Sequence, residues 1–215
     1  LYSSLSEYST IRSGAYKKLV SSYYNKTAST DKSNTTSTKL NSNKNAIAQK
    51  RELTEVKDAA DRLYEAAGKL TDTSSSKSLF KKADKVTNDI TSAVKDYVKN
   101  YNSLIEEAAD TTNSKVTGKV SFMTGQANAY KSSLENVGIT INSDKTLSID
   151  EDTFKKSDIS DVKKLFNGSG SMAYQTFVRA SDISSAAENA SASVTSYGAD
   201  GMYNNYYNSA YNWYL

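Results

Sequence analysis

Three groups of residues carry the side-chain types that chemistry needs. Asp144, Asp150, Glu151 and Asp152 lie close together in the chain, and a hard cation such as Ca²⁺ takes oxygen ligands of this type. The glycine-punctuated spacing of an EF-hand loop is absent, however, and turn and helix-start roles account for all four carboxylates, so no metal site is assigned. Glu106 and Glu107, near Asp110, resemble a paired-carboxylate site. Such a pair works across a concave cleft, whereas these residues lie off the apolar seam of a helix, where solvated charge is the simpler reading. The third group is aromatic. Tyr97, Tyr101 and Tyr130 fall on helical seam positions and are read as core. Tyr203, Tyr206, Tyr207, Tyr211, Trp213 and Tyr214 follow no heptad. Exposed aromatic rings close together mark an interface, so these six are the candidate partner-binding residues.

Composition narrows the chemistry further. Cys, His and Pro are all absent. Without Cys or His there is no thiol nucleophile, no imidazole base and no zinc site of the usual ligand types. A His-dependent hydrolase is excluded, no cofactor is expected and the chain is read as non-enzymatic. The 27 basic and 24 acidic residues are interspersed, giving +3 overall. No basic stripe of the nucleic-acid-binding kind stands out. No apolar run reaches the roughly 18 residues of a membrane span. No secretory leader is present, but Leu1 is not a natural start, so that lack decides nothing.

The elements that must position these residues are mainly helical. Apolar content of 37% is low for a globular chain and favours thin helical layers over a thick core. The absence of Pro fits long uninterrupted helices. Residues 1–24 read as an N-terminal helix with Leu5, Tyr8, Leu19 and Tyr23 on one face. Two-thirds of the 25–45 stretch is Ser, Thr or Asn; with little to bury, it reads as a polar flexible linker. From Ala46 to Leu70 the residues Leu53, Val56, Ala60, Leu63, Ala67 and Leu70 alternate spacings of three and four. Lys77 to Asp110 continues the rhythm through Ala83, Thr87, Ile90, Val94, Tyr97, Tyr101, Leu104 and Ala108. Ser114 to Val137 carries it through Val116, Val120, Met123, Ala127, Tyr130, Leu134 and Val137. A final helix, Ser171 to Tyr197, has an Ala-dominated seam through Ala180, Ile183, Ala187, Ala190 and Val194. A period near 3.5 sustained this way is a coiled-coil-like seam.

One stretch breaks the helical pattern. Val137-Gly138 reads as a helix end. Ile139–Ile141 and Thr146–Ile149 read as short strands joined by Asn142-Ser143-Asp144-Lys145, residue types that tolerate turn geometry. Asp150-Glu151-Asp152 then suits the start of a short helix around Thr153–Lys155. A second, Ile159 to Phe166, follows Ser157-Asp158 and stops at Asn167-Gly168. The fold class expected is thus mainly α: an elongated antiparallel helical bundle or coiled coil over residues 46–197, with one small β-hairpin near 138–150. A Tyr/Asn-rich tail occupies 198–215.

These residues support a comparison. Tyr97-Val98-Lys99-Asn100-Tyr101-Asn102-Ser103-Leu104-Ile105 resembles the F-V-x-x-Y-N-x-L-I run of the bacterial flagellar hook-associated, or filament cap, protein family. Leu134-x-x-Val137-Gly138-Ile139-Thr140 is similar to that family's L-x-x-I-G-I element. Asp144-Lys145-Thr146-Leu147-Ser148-Ile149-Asp150-Glu151 resembles its D-G-T-L-S-L-D-E, with Lys145 where Gly is usual. Asp161-Val162-Lys163-Lys164-Leu165-Phe166-Asn167-Gly168 resembles its D-V-x-x-L-F-x-G close. Order and approximate spacing agree over roughly residues 95 to 170. The large outer β-rich domain of cap proteins has no counterpart, since only Thr71 to Ser76 separates the second and third helices.

The resemblance implies a secreted or surface structural protein of bacteria, flagellum-associated, that self-assembles through its helices. It also implies an antiparallel pairing of Ala46–Leu70 with Lys77–Asp110 or with the final helix. The alternative expectation is an extracellular binding module that presents Tyr-rich surfaces to a protein or a carbohydrate. Truncation of residues 198 to 215 separates the two.

Overall fold

A computed structural model describes residues 36–74 and 78–196 of the chain. The expected N-terminal helix over 1–24, residues 25–35 of the polar linker and the 198–215 tail lie outside the described residues. The chain divides into two units, Leu1–Ser42 and Asn43–Leu215. All the packing below belongs to the second. The described residues form seven helices and one two-stranded antiparallel sheet. In order these are α1 (Thr36–Thr71), α2 (Asn88–Asp110), α3 (Ser114–Asn128), α4 (Lys131–Asn136), β1 (Ile139–Ile141), β2 (Leu147–Ile149), α5 (Glu151–Lys156), α6 (Ile159–Phe166) and α7 (Met172–Ser196). The chain is a helical bundle carrying a β-hairpin, and none of its described helices is long and apolar enough to cross a membrane.

α7 is the element against which α1, α2, α3 and α6 pack. Asp61 accepts a 2.6 Å bond from Ser184, and Tyr64 stacks on Phe177 with centroids 4.2 Å apart. As numbering rises along α1 it falls along α7, so the two run antiparallel. α3 runs antiparallel to α7 as well: Gln126 accepts from Arg179 Nε at 3.1 Å, and Tyr130 just beyond α3 reaches the Gly170 carbonyl ahead of α7. α2 lies on a different side, where Tyr97 and Thr176 share a buried 2.8 Å hydrogen bond. At about 100° per residue, Thr176 and Ala180 lie between the sides carrying Phe177 and Arg179. α1 and α3 therefore flank α7, while α2 packs on its inner surface.

The seams close as the spacing requires. Leu53, Val56, Ala60, Leu63, Ala67 and Leu70 are all buried, as are Ile90, Val94, Tyr97, Tyr101, Leu104 and Ala108. Ala180, Ile183 and Ala187 are buried too, and their small or slim side chains let three helices approach α7. Gly68 lies within α1. A Cβ there would stand 3.3 Å from the Phe177 ring, so the glycine marks close approach of α1 to α7.

Helix limits differ from the sequence reading in three places. α1 begins at Thr36, so residues 36–45 are helical and not a loose connection. Once a helix is nucleated, each further residue costs only its own modest propensity. The second helix begins at Asn88 and not at Lys77. Thr87 is its N-cap, extended at ψ 167° and accepting from Ile90 N at 3.2 Å. Residues 78–86 trade helical bonds for the burial of Phe80, and Lys163 Nζ holds the Ala83 carbonyl at 2.8 Å. The expected Ser114–Val137 helix is two helices, α3 and α4, parted at Ala129-Tyr130. There the amides of Ala129 and Tyr130 bond three residues back, to Gln126 and Ala127, tightening the turn. The break lets α4 leave α7 and pack on β1 and α6, while Ala127 and Leu134 both stay buried.

The hairpin pairs Ile139 with Ile149, Thr140 with Ser148 and Ile141 with Leu147. Period-two alternation points the four apolar residues inward, with Ile139 and Leu147 buried. Gly138 closes the preceding helix at φ 78°, where an added Cβ would meet Thr153 at 2.9 Å. Asp150 caps α5 by accepting from the Asp152 and Thr153 amides, and Asp158 caps α6 through Ser160.

Candidate interaction surface

The acidic residues singled out by sequence are engaged in local structure. Asp144 accepts from Thr146 N at 3.0 Å and from its hydroxyl at 2.6 Å, which pulls its carboxyl below the ordinary range. Asp150 is held down likewise by the Thr153 hydroxyl and amide. Glu151 pairs with Lys95 on α2, which lowers it, and with Lys155 at 3.6 Å. These bonds are turn, cap and strut chemistry. Among the described residues no three His, Cys, Asp or Glu converge as metal ligands do. Glu106, Glu107 and Asp110 lie on α2 away from its buried seam. Tyr97 and Tyr101 are fully buried, and desolvation drives both phenols upward. They are core rings and not a platform. Tyr130 is half-buried. Tyr203, Tyr206, Tyr207, Tyr211, Trp213 and Tyr214 lie outside the described residues.

The structure brings together a different aromatic set. The large exposed hydrophobic residues among those described are Ile47, Tyr64, Phe122, Tyr174 and Val178. Ile47 lies on the early part of α1; the other four lie on α1, α7 and α3 where these helices pack side by side. Tyr64 stacks on Phe177, and Phe177 stacks on Tyr174 at 6.2 Å. Val178 lies one turn beyond Tyr174 on the same outward side of α7. Arg179 follows, its guanidinium 4.7 Å from the centre of the Phe122 ring on α3. The result is a band running across three helices from Tyr64 to Phe122. Arg179 is fixed by Gln126 at 3.1 Å and by Asp182 at 3.1 Å, so its charge is already neutralised within the band.

Phe122 is the most prominent member, 54% exposed. Gly118 and Gly125 lie one turn to either side of it, and a Cβ added at either meets nothing within 4 Å. A glycine inside a helix costs about 1 kcal/mol relative to alanine. At Gly68 close packing explains the choice; at Gly118 and Gly125 nothing within the described fold does.

A second feature is an open groove of about 310 Å³ between the end of α2, the start of α3 and the hairpin turn. Ile105, Ala108 and Val120 make its floor, with Asp144 and Lys145 at its rim. Lys145 holds φ 72°, a left-handed geometry in a position where the resembling motif has Gly. The groove is shallow and two of its hydroxyls are spent on helix carbonyls: Thr117 bonds Asn113 O at 3.2 Å, and Thr124 bonds Ser121 O at 3.1 Å.

Sequence reading did not single out Phe122, Gly118, Gly125, Tyr64 or Tyr174. The usable signal was an aromatic off the Val120–Met123 seam, flanked by glycines at helical spacing. Compared with protein-family models, curated proteins and solved structures, the chain finds no match.

Proposed function

We propose that this chain is a non-enzymatic structural protein that acts by assembly through its helices. The observation that carries this reading is the aromatic band: Tyr64, Tyr174, Val178 and Phe122 are exposed on one layer of three helices, so a lone bundle leaves part of their apolar surface uncovered. Exposed apolar patches of this type mark protein–protein contacts. The resemblance to flagellar hook-associated and filament cap proteins supports the same reading. Its motifs fall on one connected unit, α2, the hairpin and α6, joined by Asn102 to Leu147 and by Tyr97 to Phe166. On this reading the protein works outside the bacterial cell or at its surface.

Sedimentation velocity over a wide concentration range tests the proposal. A concentration-dependent oligomer is the expected result, and a monomer at every concentration sinks it. Immunolabelling of isolated filaments tests the flagellar relationship separately; label absent from tips and junctions rules that part out.

A second reading, a module that binds carbohydrate or protein, draws support from the stacked Tyr64, Phe177 and Tyr174 rings. Saturable binding on a glycan array, abolished by Tyr64→Ala with Tyr174→Ala, favours it over assembly.

A further inference from the structure

We propose that the face centred on Phe122 is a twofold contact between two copies of this chain, with Phe122 of each copy seated over Gly118 or Gly125 of the other. The inference rests on the assembly reading and names the surface and the partner.

Three observations select a second copy. First, one surface carries both a knob and hollows. Phe122 projects, 54% exposed, and the glycines beside it leave open space where a Cβ would stand. A twofold interface needs a self-complementary patch of this kind, because residue i of one copy meets residue j of the other and the reverse. A different partner would need only the knob or only the hollow. Second, the area is of the right order. Phe122, Tyr64, Tyr174 and Val178 are 54%, 38%, 37% and 37% exposed. At about 200 Å² per large side chain they present roughly 300 Å² of apolar surface. One partner of a standard interface contributes about 800 Å², a little over half of it apolar. The exposed backbone at the two glycines and the half-buried Phe177 add to the surface presented. Third, Arg179 is paired with Asp182 at 3.1 Å, so it brings no unpaired charge to the meeting of two identical faces. Its guanidinium covers one side of the Phe122 ring and leaves the other for the partner's backbone.

The glycines make the test specific. Gly118→Ala with Gly125→Ala fills the hollows while improving helix propensity. Sedimentation equilibrium and thermal melting of the full chain are measured for the wild type, this double variant, Phe122→Ser and, as a control, Ile47→Ser. Expected are a wild-type dimer, association weakened at least tenfold in the glycine and Phe122 variants, and no change in the control. The glycine variant should also melt higher than the wild type at concentrations where both are monomeric. That pairing of a steadier fold with weaker association is not produced by a purely structural role. If the wild type associates and the glycine and Phe122 variants associate equally well, this face is wrong while assembly stands. If the wild type stays monomeric, assembly and face both fall. If it forms open-ended polymers instead of a closed pair, the twofold arrangement is overturned.

Discussion

Two residues at opposite ends of the hairpin hold left-handed backbone, and substitution at them acts in opposite directions. Lys145, at φ 72°, carries a Cβ where that geometry disfavours one. Lys145→Gly is expected to stabilise the chain by about 0.5–1 kcal/mol, part of the relief being offset by the greater freedom of glycine in the unfolded chain. Gly138→Ala adds both strain at φ 78° and a 2.9 Å clash with Thr153, for a loss of about 2–4 kcal/mol. Urea titrations of both variants check the signs. The buried tyrosines make a second contrasting pair. Tyr97 Oη is bonded to Thr176 at 2.8 Å, whereas Tyr101 Oη is buried without a partner. Tyr101→Phe is expected to raise the melting temperature by removing an unsatisfied hydroxyl. Tyr97→Phe orphans the buried Thr176 hydroxyl and is expected to cost about 1–2 kcal/mol.

Among the elements, the hairpin is tied to α2 by the side-chain amide of Asn102 as well as by apolar packing. Asn102 Nδ2 donates to Leu147 O at 2.8 Å, and its Oδ1 accepts from Leu147 N at 2.7 Å, so the side chain stands in for a neighbouring strand. Asn102→Ala removes both bonds at a half-buried site and is expected to cost about 2–3 kcal/mol. Hydrogen exchange over Ile139–Ile149 should accelerate more than exchange in α1. The same region carries most of the acid sensitivity. The Thr146 hydroxyl lowers Asp144, the Thr153 hydroxyl lowers Asp150, the Ser160 amide lowers Asp158, and Lys95 lowers Glu151. A carboxyl depressed in the folded state stabilises above its unfolded pKa, near 3.8 for Asp and 4.5 for Glu, and ceases to as pH falls through the folded value. Stability is therefore expected to hold above about pH 5 and to decline from pH 4 downward; denaturant midpoints measured across that range check it.

Much of this element-scale structure was legible because its signals are local. Gly138, the Asn142–Lys145 turn and the Asp150 and Asp158 caps each encode a geometry within a few residues. The Ile159–Phe166 helix appears with the limits read from sequence. The start of α2 was misread because Ala83 and Thr87 continue a heptad rhythm that capping by Thr87 overrides. The break at Ala129-Tyr130 left no local trace; it follows from α4 having to pack on β1, a tertiary demand.

At the scale of the whole molecule, α7 sets how much side chain the interior can hold. Ala180 and Ala187 are fully buried where neighbouring helices converge. Ala180→Leu overfills that space and is expected to destabilise the chain by about 1–3 kcal/mol, visible as a lower denaturant midpoint. The alanine seam showed that some close approach occurs, but which helices surround it could not be read from spacing. That information lies in pairs distant in sequence, such as Asp61 with Ser184 and Leu70 with Asn167. The candidate surface was hidden for a related reason. Phe122 and Tyr64 become one band only when α7 lies between their helices.

The central place of α7 has a kinetic consequence. Its contacts close loops as long as the 123 residues between Asp61 and Ser184, and non-local closure of this type slows folding. A chain emerging from the ribosome completes α1, α2 and α3 well before residue 172 appears. Until then α2 can meet α3, β2 and α5, but the faces of α1, α2 and α3 that pack on α7 have nothing to cover them. Completion of the bundle thus waits for the last described helix, and the growing chain passes through an interval in which the seams that pack on α7 are open to a chaperone or to misassociation.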